Sequence, residues 1–188
     1  MWRLLLLVSV LPLVAAWLLR WWFGLRVLAG LDGRPCRCDL ARWDKALGEA
    51  PQQGLPAADA PACAFGERLR LAALAHWRQR EPKPAAAREA SRRFGQAVPP
   101  LSAMVAVFAV ILAKIPLPGA IAICLAATAL ATVFGMLSLG GELRAIALGA
   151  RALRDARAFI RSDDEEAVIQ AAIARAWCET VPPVLKML

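Results

Sequence analysis

Two long apolar runs, separated only by Ile115-Pro116-Leu117-Pro118-Gly119, dominate the hydropathy pattern. No charged residue occurs from Leu101 to Ala113, and none from Ala120 to Leu139. The second run is about 20 residues, or ~30 Å as a helix, enough to cross a bilayer's hydrocarbon. The first, Val98–Ile115, is slightly shorter and ends at Lys114, whose long amine can reach the interface. Two prolines and a glycine break the helix between them, so Val98–Leu139 is predicted to be an antiparallel helical hairpin. Ala103, Ala106, Ala109 and Ala113 line one side of its first helix, and Ala127, Ala131 and Gly135 form a small-residue row on the second. A third apolar run, Leu4–Phe23, is interrupted only by Arg20, with Trp21 and Trp22 beside it as interfacial anchors. Val14-Ala15-Ala16 resembles a signal-peptide cleavage site. The apolar character continues past it through Trp17-Leu18-Leu19, which favours an uncleaved anchor.

The remaining pattern is amphipathic and helical. Asp39 is expected to cap a short helix with Leu40, Trp43 and Leu47 on one face, ended by Gly48 and Pro51, with a loop over Pro51–Pro61. A helix follows from Glu67 to about Arg80, and another from about Ala85 to Ala97 leads Arg88, Arg92 and Arg93 toward the membrane. Beyond the hairpin, Gly140-Gly141 is a candidate hinge, and Glu142–Ile160 carries Leu143, Ile146, Ala150 and Leu153 on one face. Ser162-Asp163-Asp164-Glu165 has the form of a capping box. The helix it opens places Val168, Ile169, Ala172, Ile173, Ala176 and Trp177 on one stripe, ended by Pro182-Pro183. That stripe is expected to pack on the preceding helix, with contact to a separate partner through Val168, Ile169, Ile173 and Trp177 as the alternative.

The fold class that follows is all-α: three transmembrane helices, an N-terminal anchor plus a hairpin, with amphipathic cytoplasmic helices. Four segments are expected: an anchor (1–23), a basic helical segment (24–97), the hairpin (98–139) and a helical tail (140–188). The composition agrees, since 59% hydrophobic residues and a mean hydropathy of +0.50 exceed what a soluble domain of 188 residues needs. Charge adds orientation. Residues 24–97 hold 13 Lys/Arg against 8 Asp/Glu, and residues 141–188 hold 7 against 7. Only Arg3 precedes the first run, and Lys114 stands alone near the hairpin tip. The positive-inside rule places the N-terminus and the tip outside, and residues 24–97 and the tail in the cytoplasm. Lys and Arg beside membrane helices are explained by orientation, so the net charge of +8 is no argument for nucleic acid.

Candidate chemistry is sparse. A single histidine excludes a His-Glu-x-x-His zinc helix, and nothing around His76-Trp77-Arg78 supplies a Ser-His-Asp triad. Cys36, Cys38, Cys63 and His76 are the one set that offers a Cys₃His metal site, although one intervening residue between Cys36 and Cys38 is tighter than usual zinc spacing. Reduced, unligated cysteines are the simpler reading. Five cysteines without regular spacing imply no disulfide framework. No catalytic residue, cofactor or resident metal is expected.

One local pattern carries a resemblance. Leu139-Gly140-Gly141-Glu142-Leu143-Arg144-Ala145 is followed by Ala152-Leu153, by Asp164-Glu165-Glu166-Ala167, and by an Ala-rich run to Trp177. With the order of anchor, basic segment, hairpin and tail, this resembles the bacterial membrane-bound neutral zinc metallopeptidases: their glutamate after the last membrane helix, their Arg-Ala-Leu helix and their Glu-Glu-Ala start to the final helix. Where that family carries its zinc helix, this chain has Leu71-Ala72-Ala73-Leu74-Ala75-His76-Trp77-Arg78-Gln79-Arg80. His76 can stand at one ligand position, while the catalytic glutamate and second histidine are missing. The resemblance therefore implies a pseudoenzyme, acting through contacts with a protein partner in the membrane or cytoplasm. The alternatives are an accessory or assembly subunit of a larger membrane complex, and an enzyme of this kind with an unrecognised site.

Overall fold

The first apolar run does not stop at Phe23. In the computed structural model, which describes residues 2–48 and 57–182, it continues without a break to Leu31. α1 (Trp2–Leu19) passes through a π-helical turn (Arg20–Leu25) into α2 (Arg26–Leu31). In that turn the Arg26 amide donates to the Trp21 carbonyl, five residues back. Pro12 sits inside α1.

The hairpin is also longer than its apolar core. The predicted helices over 85–97 and 98–115 are one element, α5 (Pro82–Ile111), running through Pro99 and Pro100. The Ser102 hydroxyl donates to the Pro99 carbonyl. After the turn, α6 (Leu117–Asp155) has 39 residues, about 58 Å at 1.5 Å per residue. Its first half is apolar and its second half enters the polar end of the molecule. Gly140-Gly141 is not a hinge, because both residues lie inside continuous helix. A Cβ on Gly141 would lie 2.7 Å from a ring carbon of Trp77, so the glycine is there for close packing.

α5 and α6 both end in non-glycine residues with positive φ, Ala113 at 51° and Arg157 at 51°. At each end the next amide reaches five residues back: Lys114 to Ala109, Ala158 to Leu153. This is the Schellman pattern, formed here without its usual glycine. It ends α6 at Asp155, short of the expected Ile160.

The polar end is built from α3 (Leu40–Leu47), α4 (Ala62–Arg80), the second half of α6 and α7 (Ser162–Thr180). Asp39 caps α3 as expected, its Oδ1 accepting from the amides of Ala41 and Arg42, and Gly48 ends it with φ +70°. α4 begins five residues before Glu67, at Ala62. Two three-residue strands, β1 (Pro35–Arg37) and β2 (Asp59–Pro61), pair antiparallel with Cys36 opposite Ala60. The all-α class holds with this small addition, and residues 59–61 of the expected loop are a strand. Pro51 and Pro183, expected to end helices, and residues 51–56 of that loop lie outside the described residues.

The core of this end is aromatic at its centre. Trp43, Phe65 and Phe159 pack pairwise with ring centroids 5.7–5.9 Å apart. Leu69, Ile146, Leu153 and Val168 complete the buried cluster around them. The stripe on α7 belongs to it, but it faces α4 as well as α6: a Cβ on Gly66 would lie 2.6 Å from that of Ala171. The capping box does not form. Ser162 donates to Asp163, and Glu165 reaches across the α6–α7 corner to Arg154 at 2.7 Å.

At the apolar end α6 packs against α5 and against α1, where Leu13, Ala16, Ala129 and Val181 make a small second cluster. Three helices, including the one that runs Leu4–Leu31, are long and apolar enough to cross a membrane. Of the predicted small-residue rows, Ala106, Ala131 and Gly135 are buried, while Ala103 and Ala113 are exposed. Gly135 faces the end of α7, where an added Cβ would meet the Thr180 carbonyl at 2.7 Å, and not the neighbouring helix α5.

Candidate functional site

Where the apolar half of α6 gives way to the polar end, three residues after Leu139, Glu142 is wholly buried. A carboxylate there is costly unless its oxygens are bonded and its charge matched. Both conditions are met by arginines from two other helices. Arg70 of α4 donates from Nε to Oε1 at 2.6 Å. Arg88 of α5 reaches Oε2 from Nε at 2.8 Å and from Nη2 at 2.7 Å. Neither arginine is more than 6% exposed.

Arg88 does more than neutralise Glu142. Its Nη1 donates to the Gly135 carbonyl and the Ser138 hydroxyl, both at 2.8 Å, and its Nη2 donates to Thr180 Oγ1 at 3.1 Å. One side chain thereby ties α5 to α6 and to the end of α7, while Arg70 brings in α4. Arg92 and Glu179 extend the network toward the surface at 3.2 Å. The group carries one more positive than negative charge, and Arg70 Nη2 is buried without a hydrogen-bond partner. Chemically, this is a four-helix fastener. A carboxylate whose two oxygens are occupied by guanidinium groups offers no lone pair suited to a cation and no proton acceptor in reach of a substrate.

A cleft of about 600 Å³ lies beside it, between α4 and α6. Trp77 forms one wall, held by its fit on Gly141 and by donation from its indole nitrogen to Glu81 at 3.1 Å. His76 lines the same cleft; its Nε2 donates to the Leu47 carbonyl at 2.7 Å, which fixes that nitrogen as the protonated one.

The residues singled out from sequence are distributed differently. Among the described residues, no group of three His, Cys, Asp or Glu side chains could hold a metal ion. Cys36 lies in β1 with its thiol toward the carbonyls of Arg34 and Asp164. Cys38 pairs with Phe159 in an isolated bridge, and Cys63 points to the Leu28 carbonyl. Burial raises the Cys38 thiol to about 12, helped by Asp39 and Asp44. Burial likewise raises Cys36 and Cys63, with Asp164 adding to the first and Asp32 to the second. These surroundings favour thiols over the thiolates that metals require. On α7, Val168 is fully buried and Ile169, Ile173 and Trp177 are half-buried against the core. Trp177 stacks on Phe23 of the π-helical turn, centroids 5.6 Å apart.

Arg70 and Arg88 carry no special mark in the sequence. The available signal was Glu142 itself, a lone acid directly after a 20-residue uncharged run. Its partners stand 72 and 54 residues away and are found only by folding. Comparisons with protein-family models, with curated proteins and with solved structures give no match.

Proposed function

We propose that this chain is a non-catalytic integral membrane protein of the bacterial inner membrane, peptidase-like in layout, that acts through protein contacts. The observation that carries the reading is the occupied carboxylate of Glu142. The one buried acid at the junction, which belongs to the segment that resembles the metallopeptidases, is engaged on both oxygens by Arg70 and Arg88. Two guanidinium groups supply the positive charge a divalent metal would bring, and they repel one. The histidine in the corresponding helix donates to a backbone carbonyl, and no second histidine exists.

Insertion is supported by large apolar side chains that stand exposed along all three apolar helices, among them Leu7, Leu11, Phe108, Ile111 and Leu137. Such continuous apolar surface has its natural solvent in lipid. Three crossings put residues 32–48, residues 57–81 and the C-terminal helix on one side, in keeping with the core that these segments share. The excess of Lys/Arg in residues 24–97 makes that side cytoplasmic and puts the N-terminus outside.

The test is the metal content and peptidase activity of the full chain purified in mild detergent. The expected result is far less than one zinc per chain after dialysis and no casein hydrolysis above a detergent blank. Stoichiometric zinc together with hydrolysis that a chelator abolishes would overturn the reading.

A further inference from the structure

Proline has no N–H, so Pro99 gives no hydrogen bond to the carbonyl of Gly95, one turn back in α5. Gly95 and Pro99 are both buried. A pocket of about 30 Å³ lies between α5, α6 and the end of α7. Its lining includes Gly95 and Gln96, the two residues joined by the peptide group whose carbonyl Pro99 leaves free. A Cβ built on Gly95 would meet nothing within 4 Å, so the glycine keeps that space open. On α6 the lining is Ala131 and Gly135, inside the uncharged run Ala120–Leu139. A buried carbonyl at that level is costly without a donor.

Arg88 borders the pocket but is not available to that carbonyl. Its N–H groups are committed to Glu142, the Gly135 carbonyl, Ser138 and Thr180. The other polar side of the lining is the Arg92–Glu179 pair, whose side chains are 29% and 32% exposed. We propose that this pocket is a hydration site, in which water donates to the Gly95 carbonyl and links it to the Arg92–Glu179 pair. One water molecule needs roughly 10–15 Å³ of such space, so the pocket has room for about two. Its occupant has to be neutral and able both to donate and to accept. Arg88 and Arg92 oppose a cation, and Glu179 and the freed carbonyl oppose an anion. Water meets these conditions and the volume, and the partly exposed ion pair gives it a polar way in. Ordered water is a known means of satisfying backbone groups released by proline in apolar helices. The site keeps the interrupted stretch of α5 hydrogen-bonded next to the fastener, and it is independent of whether the protein is catalytic.

A high-resolution experimental structure of the full chain in mild detergent tests it. Ordered water should lie within about 3.2 Å of the Gly95 carbonyl oxygen. A carbonyl there with no water, or a pocket filled by an acyl or detergent chain, would overturn the site. Thermal melts of Gly95→Val, made in the parent and in a Pro99→Ala background, give a second reading. In the parent the added methyl groups displace the water and strand the carbonyl, so the melting temperature should fall by about 5 °C. With Pro99→Ala the restored amide serves the carbonyl, and the same filling should cost little. A rise in the parent's melting temperature, as a dry void predicts, or equal falls in both backgrounds, as crowding predicts, would overturn the proposal.

Discussion

The two ends of this molecule bury different things. At the polar end the interior holds Trp43, Phe65, Leu69, Ile146 and Leu153, each at most 1% exposed, and water drives them together. At the apolar end the contacts are made mainly by small side chains such as Ala16, Ala106, Ala129, Ala131 and Gly135, while the large ones face outward. On the proposed insertion this has a physical reason: helices in lipid gain little by hiding leucine from leucine-like tails, and close backbone approach takes the place of bulky burial. Ser9, Thr128 and Thr132 are buried at the apolar end, and each donates to a carbonyl four residues back in its own helix. The Arg70–Glu142–Arg88 fastener sits at the boundary between these regimes and binds four helices at that level.

The comparison can be broken most severely at the boundary. Glu142→Gln leaves two buried guanidinium groups without a counter-charge and should cost ~3–5 kcal/mol, read as loss of the thermal transition or rapid degradation in cells. Replacing the whole group, Arg70→Met/Glu142→Leu/Arg88→Met, should recover most of that loss, because a well-packed apolar set removes the desolvation cost along with the charges. A triple variant no more stable than Glu142→Gln would show that the charges do more than fasten helices.

Within the two ends, equal truncations should have unequal effects. Phe65→Ala removes a fully buried ring from the aromatic centre and should cost ~3–5 kcal/mol. Phe108→Ala removes a ring that is 61% exposed on the outer face of α5 and should change stability by about 0.5 kcal/mol or less. Thermal melts in one detergent compare them directly, and similar losses would erase the distinction drawn between the ends.

A pH titration sharpens the account of the polar end. With its pKa raised to about 12, the Cys38 thiol is held neutral in the folded chain, whereas the unfolded chain releases that proton near the ordinary thiol value of 9.0. The stabilising contribution is complete below that ordinary value and declines as pH rises from there toward 12. Cys38→Ala should therefore lose stability less steeply than the parent over the alkaline range. Parallel slopes in alkaline melts would contradict the assignment.

A small effect of the opposite sign is expected at the corner after α6. Arg157 adopts φ 51° to end the helix, and Arg157→Gly removes the strain of a side chain in that region while keeping the carbonyl that accepts from Arg42. A gain of about 0.5–1 kcal/mol should appear as a higher melting temperature.

Much of this plan was legible in the order of residues, because periodicity and helix breakers act locally. The hairpin turn that ends at Pro116, the Asp39 cap and the apolar α7 stripe are all consequences of neighbours a few positions apart. Local rules failed where distant contacts compete with them. Glu165 leaves its capping role for Arg154, Gly141 serves the ring of Trp77 and not a hinge, and α4 starts early because β2 brings the chain in beside β1. The fastener was the least legible part, since Glu142 was conspicuous but its arginines were two among 23 basic residues.

The placement of the two ends in lipid and water is tested most directly by accessibility in intact cells. Lys114→Cys marks the exposed hairpin tip, and Gln170→Cys marks the exposed face of α7. With a membrane-impermeant maleimide and peptide mapping to separate each site from the native cysteines, Lys114→Cys should be modified in intact cells and Gln170→Cys only after lysis. Modification of both before lysis, or of Gln170→Cys alone, would contradict the arrangement of three crossings with a cytoplasmic helical end.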